Sequence, residues 1–181
     1  MTITHANTAT FEVLAIPHSV VAGLLAADDA GHAPRFIVDE AGGSPLRCCL
    51  RRSSPGERIA LVSYAPLRRW AAETGARPGP YDEVGPVFIH SETCGGQRDG
   101  GYPAEFLGSR RVLRAYSADG RILGGQIAEP NQVRDQAAAA GLLDEILADS
   151  RVALVHARAV DFGCFTFEIR RHTGAHENVG A

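Results

Sequence analysis

The sequence predicts an α+β fold, with a mainly antiparallel sheet of about seven to eight strands and two principal helices packed on one face. Three observations lead to this prediction. Short segments with alternating apolar and polar residues recur along the chain. Turns rich in Gly, Pro, Ser and Asp join many of them, and such short links favour antiparallel pairs. The strands do not alternate regularly with helices, as a doubly wound parallel sheet would require.

The chain has 181 residues, of which 45% are hydrophobic, so it is long enough for one domain with a substantial core. We expect residues 1–171 to form a single α+β domain and residues 172–181 to form a flexible C-terminal tail. All 18 positively charged side chains are arginines. Without lysine the protein cannot form a Schiff base, hold pyridoxal phosphate as an internal aldimine, or build a lysine-dependent phosphate loop.

The charge balance and the pattern of apolar residues argue against further classes of protein. The net charge is −3, so the chain offers no excess positive field for nucleic acid. No segment has the apolar length of a membrane span, and the first residues lack the layout of a secretion signal. We therefore expect a cytoplasmic protein without nucleic-acid or membrane partners. Its four cysteines should then be reduced thiols.

Three helices are predicted. The first covers residues 17–27, where a proline start precedes apolar residues at helical spacing from Val20 to Leu25. A short helix is predicted over residues 66–74, around Trp70. The longest covers residues 132–148, where apolar residues follow a helical stripe that Gly141 interrupts. The first and the longest are the two principal helices.

The predicted strands cover residues 35–39, 46–51, 58–64, 84–90, 110–116, 121–128, 152–160 and 164–171. Turn-forming residues 53–56 join the second strand to the third, and residues 117–120 join the fifth to the sixth. Two segments, residues 75–81 and 94–108, are predicted to be loops that lie over the surface.

The last two strands are predicted to form a hairpin across residues 161–163, because glycine readily takes the left-handed conformation that closes such a turn. We expect Val160 to lie opposite Cys164. The alternation then sets His156 opposite Glu168. One face of the hairpin is apolar, and the other carries His156, Arg158, Cys164, Thr166, Glu168 and Arg170.

An ordered series of motifs resembles the bacterial domain-of-unknown-function family 1203 over residues 11–171. The motifs are Pro45-Leu-Arg-Cys-Cys-Leu50, Pro55-Gly-Glu57, Pro80-Tyr81, Gly85-Pro-Val-Phe-Ile-His90, Leu113-Arg-Ala-Tyr116, Asp119-Gly120, Val155-His-Ala-Arg158 and Gly163-Cys-Phe165. The resemblance implies a shared fold and no particular activity, cofactor or substrate. Many relatives have Pro-Cys-Arg where this chain has Pro45-Leu46-Arg47, so a reaction that needs a thiol there could not run in this protein.

Arginines on the predicted strands indicate a binding site. A guanidinium binds carboxylate or phosphate oxygens in bidentate fashion, and alternation places Arg47 with Cys49 on one strand face and Arg114 with Tyr116 on another. We predict that a small carboxylate or phosphate binds in a cleft lined by Arg47, Cys49, Arg114, Tyr116, His156 and Arg158, with Cys164 beside them.

The alternative for these arginines is internal ion pairing with carboxylates such as Glu57, Glu168 or Asp161. Arg114 is expected opposite Gly124, and Arg158 opposite Thr166. Neither arginine then has a carboxylate directly across its strand, which favours a role in ligand recognition.

Two further kinds of site remain as alternatives, a catalytic pair of a thiol and a histidine and a zinc site. His156 and Cys164 share the polar face of the hairpin and are candidate catalytic residues, because a nearby base can activate a thiol. The alternative is that Cys164 is a small buried hydrophobic residue and that His156 bonds to Glu168. Whether the protein is an enzyme is not determined by these residues.

A zinc site is the second alternative. His90 and Cys94, together with His156 and Cys164, would supply four ligands if their strands were neighbours. Adjacent Cys48 and Cys49 should point to opposite faces of a strand and so cannot both hold one ion. We therefore expect no metal and no cofactor.

Two functions from different classes follow from these residues. The first is the binding of a small anionic ligand in the cleft. The second is an interaction module without catalytic activity, in which an exposed sheet face or edge pairs with a partner protein or forms a homodimer.

Overall fold

The computed structural model describes residues 10–172. The predicted tail over residues 172–181 falls outside this range except for its first residue, and so does the start of the chain. The described part contains α1 (His18–Leu24), α2 (Pro66–Thr74) and α3 (Gln136–Leu147). None of these three helices is long and apolar enough to cross a lipid bilayer.

Two five-stranded sheets form the framework. The first has the spatial order β1-β10-β9-β7-β8 and consists of β1 (Phe11–Leu14), β7 (Arg111–Ser117), β8 (Ile122–Ala128), β9 (Val152–Ala159) and β10 (Phe165–Arg171). The second has the order β2-β5-β6-β3-β4 and consists of β2 (Arg35–Asp39), β3 (Pro45–Leu46), β4 (Arg51–Arg52), β5 (Glu57–Tyr64) and β6 (Gly85–His90). Neighbouring strands are antiparallel except β3 and β6.

The α+β class with mainly antiparallel pairing is confirmed, whereas the single sheet of seven to eight strands is not. Local alternation of residues marks a strand, but which strands pair depends on contacts between distant segments. The four residues of β1 are too few to show a clear alternation, so this strand is missing from the prediction. The strand predicted over residues 46–51 is divided into β3, a turn and β4.

Residues that favour the start or the end of a helix mark the limits of α2 and the start of α3. Proline occupies the first position of α2, and Gly75 ends that helix in the left-handed conformation with φ 78°. Asp135 caps α3 by accepting a hydrogen bond from the Ala138 amide at 2.8 Å. The three predicted helices are therefore confirmed, although α1 and α3 are shorter than expected.

The hairpin of β9 and β10 keeps the predicted pairing of His156 with Glu168 but changes register nearer its tip. A bulge between Phe165 and Phe167 places Arg158 opposite Phe165 instead of Thr166. The Ala159 amide donates to the Cys164 carbonyl at 2.9 Å, so Val160 does not pair with Cys164 as expected. The bulge also turns Phe165 away from Phe167 and towards His156, with ring centroids 5.2 Å apart.

Both faces of the first sheet are buried at β10, β9 and β7, whereas the edge strand β8 is mostly exposed. On one face, α3 packs against Val155, Ala157 and Phe167. On the other face, Leu154 packs with α2, and Phe165 joins the core of the second sheet. The prediction that the two principal helices pack on one face is wrong, because α3 packs on the first sheet whereas α1 packs in the core of the second sheet. The face of the first sheet that carries the polar residues is covered by α2 and the second sheet. That burial brings charged side chains into the interior.

Candidate functional site

The predicted site residues do not form one cleft. They lie in separate surroundings: Arg47 and Cys164 at a cleft between the sheets, Cys49 beside His90, Arg114 and Arg158 beside Glu83, and Tyr116 and His156 in the interior.

Glu83, which precedes β6, binds both arginines of the β7–β9 pair. Arg114 donates to it at 2.9 Å, and Arg158 donates to its other carboxylate oxygen. Arg158 also donates to the Gly163 carbonyl at 2.7 Å. Arg114 lies opposite Gly125 rather than Gly124. We call Glu83, Arg114 and Arg158 the Glu83 cluster. Neither arginine has a carboxylate directly across its strand, as expected, but Glu83 from a distant segment pairs with both, as in the alternative of internal ion pairing.

His156 is completely buried and lies next to the Glu83 cluster. Its Nε2 is 3.2 Å from Glu168, and its ring contacts Tyr116 and Phe165. Burial lowers the pKa of His156, and the Glu168 carboxylate opposes this shift. Within residues 10–172 no hydrogen bond joins His156 to Cys164, whose sulfur contacts the Phe162 carbonyl at 3.7 Å. The contacts match the alternative in which His156 bonds to Glu168.

A cleft of about 670 Å³ lies between the second sheet and the tip of the β9–β10 hairpin. Its lining residues are Pro45, Arg47, Arg52, Leu61, Pro86, Phe88, Arg110, Arg111, Ala159, Val160, Asp161, Phe162 and Cys164. We call this space the inter-sheet cleft. Four of the lining residues are arginines and one is acidic, so the lining carries an excess of positive charge.

Arg47 reaches the inter-sheet cleft from the turn after β3. The residue is 5% exposed, and its Nε donates to the Phe165 carbonyl at 2.9 Å. A second donor contacts the Pro45 carbonyl. Both partners are neutral, and no salt bridge to Arg47 occurs in the described range. Burial lowers the pKa of Arg47 to about 10, and the positive charge of Arg111 acts in the same direction.

Arg111, the first residue of β7, has a similar environment. Its guanidinium lies over the Phe106 ring, 4.7 Å from the centroid. Its buried Nε has no hydrogen-bond partner in the described part of the chain, which also supplies no salt bridge to this residue. Burial lowers the pKa of Arg111. Arg47, which is buried, and Arg111, which is half-buried, therefore border one cleft without a bonded carboxylate.

The other two arginines of the cleft have acidic partners. Arg110 forms a bidentate pair with Glu129 at 2.9 and 3.0 Å. Arg52 lies 3.9 Å from Glu105. The unbalanced charge therefore belongs to Arg47 and Arg111.

A second group of reactive side chains lies on the opposite side of the turn that carries Arg47. The ligand atoms of Cys48, Cys49, His90 and Cys94 all lie within 4.8 Å of one another. His90 Nδ1 is 3.1 Å from Cys48 Sγ and 3.9 Å from Cys49 Sγ. We call these four residues the thiol cluster.

The turn explains why both adjacent thiols reach one histidine. The Leu50 amide donates to the Leu46 carbonyl at 2.9 Å, so the chain coils here instead of extending. Adjacent side chains on a coiled backbone are about 100° apart rather than on opposite faces. Leu50 closes the turn with φ 59°, a conformation that costs a non-glycine residue roughly 1 to 2 kcal/mol. The expectation that Cys48 and Cys49 point in opposite directions is therefore wrong.

Charged neighbours influence the thiol cluster. His90 Nε2 lies 3.1 Å from Glu57 Oε1. A hydrogen bond from the Cys48 thiol lowers the pKa of Cys49 to about 5, with further lowering by Arg51 and His90. The same hydrogen bond raises the pKa of Cys48. A Cys-Cys pair followed by His90 and Cys94 was a visible signal in the sequence, and the predicted extended strand concealed it.

Comparison with known proteins identifies a family. A family model described as "Protein of unknown function (DUF1203)" matches residues 43–171, which confirms the resemblance that the motifs indicate. The match covers the inter-sheet cleft, the Glu83 cluster and the thiol cluster. Neither the curated proteins nor the solved structures contain a match.

Proposed function

We propose that this chain, which belongs to the DUF1203 family of proteins of unknown function, binds a small amphipathic anion in the inter-sheet cleft. The ligand would carry a carboxylate or phosphate group on an apolar body. The observation that supports this most directly is that Arg47, which is buried, and Arg111, which is half-buried, both border the cleft without a bonded carboxylate.

The cost of desolvating these cations supports the proposal. Removing a cation from water costs several kcal/mol unless an opposite charge or a full set of hydrogen bonds offsets it. Arg47 has neutral carbonyl partners, and Arg111 Nε has none in residues 10–172. A bound carboxylate or phosphate would supply the missing charge, and the planar guanidinium groups match its oxygens.

The other residues that line the inter-sheet cleft would contact the apolar part of the ligand. Leu61 and Phe88 come from the face of the second sheet, with Pro86 beside them, and Phe162 lies at the rim with 83% of its surface exposed. The volume of about 670 Å³ lies within the range of roughly 300 to 1,000 Å³ that is common for small-molecule sites. An inorganic anion alone would leave this apolar surface unused.

The experiment compares ligands that share an eight-carbon chain and differ in their head group, which is anionic or neutral. Octanoate and octyl phosphate are titrated calorimetrically against the protein, with octanol as the neutral control. We expect the two anions to bind and octanol to bind at least tenfold more weakly, because a hydrogen bond to a charged group contributes about 1.5 to 3 kcal/mol. Equal affinity for octanol, or no binding of any of the three, would refute the proposal.

Variants locate the site. Arg111→Met keeps most of the side-chain length and should weaken octanoate binding at least tenfold. Arg134→Met is the matched control, because Arg134 is exposed and pairs with Asp135 outside the cleft. If both variants bind octanoate equally well, the anion does not occupy the inter-sheet cleft.

A second candidate function rests on strand β8. This edge strand pairs only with β7 within the described residues, and its sequence Ile-Leu-Gly-Gly-Gln-Ile-Ala contains no charge. Ile122, Leu123 and Ile127 are exposed. Edge strands usually carry charges or prolines that prevent pairing between molecules, and their absence favours self-association.

Light scattering tests this candidate. Leu123→Lys should convert a dimer into a monomer, whereas Val38→Lys on the exposed edge strand β2 should leave it intact. A wild-type protein that is monomeric at high concentration would exclude self-association through β8.

A further inference from the structure

We infer that Cys48, Cys49, His90 and Cys94 bind one zinc ion or a similarly thiophilic divalent ion. This site is separate from the inter-sheet cleft and does not depend on the proposed anion. The inference begins from the number of ligands: three sulfur atoms and one imidazole nitrogen lie within 4.8 Å of one another. Three cysteines and one histidine are an established ligand set of structural zinc sites.

The distances fit a tetrahedral ion. Zinc lies about 2.0 to 2.3 Å from nitrogen and sulfur ligands, so two ligand atoms on one ion are about 3.5 to 3.8 Å apart. The distances from His90 Nδ1 to Cys48 Sγ and Cys49 Sγ are 3.1 and 3.9 Å. Side-chain rotations that move these atoms by less than about 1 Å would give the coordination geometry.

Glu57 provides an independent indication. Its carboxylate lies 3.1 Å from His90 Nε2, so the imidazole can donate its proton there and present Nδ1 to the sulfur atoms. Histidines that bind metals almost always donate their other ring N–H to a carboxylate, carbonyl or water. The His90 backbone amide also donates to Cys48 Sγ at 3.3 Å, which stabilises a thiolate.

The strained turn fits the same function. Leu50 occupies the left-handed region with φ 59°, a backbone conformation that costs leucine more than glycine, while its side chain is buried in the core. The turn it closes brings Cys48 and Cys49 to the same histidine. Strained backbone tends to cluster at functional sites, where the surrounding contacts maintain it.

The ligand types select the ion. Thiolate and imidazole favour zinc and related soft ions over magnesium or calcium, which take oxygen ligands. Four protein ligands complete a tetrahedron and leave no position for water, so the ion holds the turn to β6 rather than taking part in a reaction. Cys49 also lines a surface depression of about 290 Å³, which gives an ion access from solvent.

The test uses Co²⁺ as a spectroscopic probe on the full chain, purified with reductant and freed of metal. We expect one equivalent of Co²⁺ to give the intense visible bands and sulfur charge-transfer absorption of a tetrahedral thiolate site, and Zn²⁺ to displace it. Absence of these bands in the reduced protein, in which all four thiols are free, would overturn the inference.

Variants separate ligands from other cysteines. Cys94→Ser should weaken Co²⁺ binding strongly, whereas Cys164→Ser should leave it unchanged because that thiol lies at the inter-sheet cleft. Glu57→Gln leaves every ligand in place and should weaken binding by about 10- to 100-fold. Circular dichroism checks that each variant folds. Unchanged affinity for Co²⁺ in the folded Cys94→Ser variant would refute the assignment. Octanoate binding is measured in the metal-free protein as well, so that failure of the metal site and failure of the anion site can be told apart.

Discussion

Arg114 and Arg158 share the carboxylate of Glu83, whereas Arg47 and Arg111 border the inter-sheet cleft with only neutral bonded partners in the described residues. Arg111 and Arg114 are on the same strand, β7, only three positions apart. Residue type and membership of one strand therefore do not distinguish a structural arginine from a candidate ligand-binding one. The location of the nearest carboxylate distinguishes the two kinds of arginine.

This difference has a thermodynamic consequence. Each arginine of the Glu83 cluster has an opposite charge that offsets part of its desolvation, so removing the carboxylate should destabilise the fold. Arg111 lacks such a charge, so removing Arg111 should cost little stability and mainly impair binding. Three experiments test this contrast between the two pairs of arginines.

The largest effect is expected for Glu83→Ala. This change leaves two arginines without their carboxylate, and Arg158 is buried, so the free energy of unfolding should fall by about 2 to 3 kcal/mol. Urea denaturation measures the loss. The matched control is Glu129→Ala, whose exposed pair with Arg110 should contribute about 0 to 1 kcal/mol. Equal losses in the two variants would remove the distinction between the regions.

A smaller effect should appear in the pH dependence of stability next to the Glu83 cluster. Burial lowers the pKa of His156 below 6.5, and the positive charges of Arg158 and Arg114 act in the same direction against Glu168. The unfolded chain then binds a proton near pH 6.5 that the folded protein does not bind. Stability from this group is therefore present above pH 6.5 and is lost as the pH falls.

Urea denaturation at pH 7.5 and 5.5 tests this sign. The wild type should lose about 1 kcal/mol more than His156→Gln over this interval, because a full proton difference changes stability by about 1.4 kcal/mol per pH unit. If the wild type gains stability relative to the variant at pH 5.5, His156 is protonated and pairs with Glu168 as a cation.

The smallest stability change is expected for Arg111→Met. Methionine keeps the packing over Phe106 and removes a desolvated cation, so the free energy of unfolding should change by no more than about 0.5 kcal/mol or should rise. The comparison is Arg158→Met, which should destabilise the protein because Glu83 and the Gly163 carbonyl lose their donor. A large loss in Arg111→Met would show that this arginine is structural.

Local sequence patterns were sufficient to predict the helices and most of the strands. The helix over residues 66–74 has the predicted bounds, since proline at its first position and glycine after its last are local signals. The pairing of His156 with Glu168 was also predictable, because it lies far enough from the hairpin tip that both strands are regular. These features depend on neighbours in the chain.

The features that were missed depend on distant contacts or on one unusual residue. Glu83 is 31 residues from Arg114 in the chain, so no strand register could reveal their contact. The bulge after Phe165 changes which side chains face the core, and no glycine or proline marks it. The turn at Cys48 and Cys49 requires Leu50 in a left-handed conformation, which propensity argues against.

The pairing of β1 with β10 bears on how the chain folds as it is synthesised. Phe11 lies opposite Arg171, so the two ends of the described chain meet in the first sheet. The second sheet uses only residues 35–90 and can assemble while the rest is still being translated. The first sheet must wait for its last strand and close a loop that spans nearly all of the described residues, which is a slow step. Until then, the apolar side chains of Phe11 and Val13 have no partner strand and are exposed to contacts with other nascent chains.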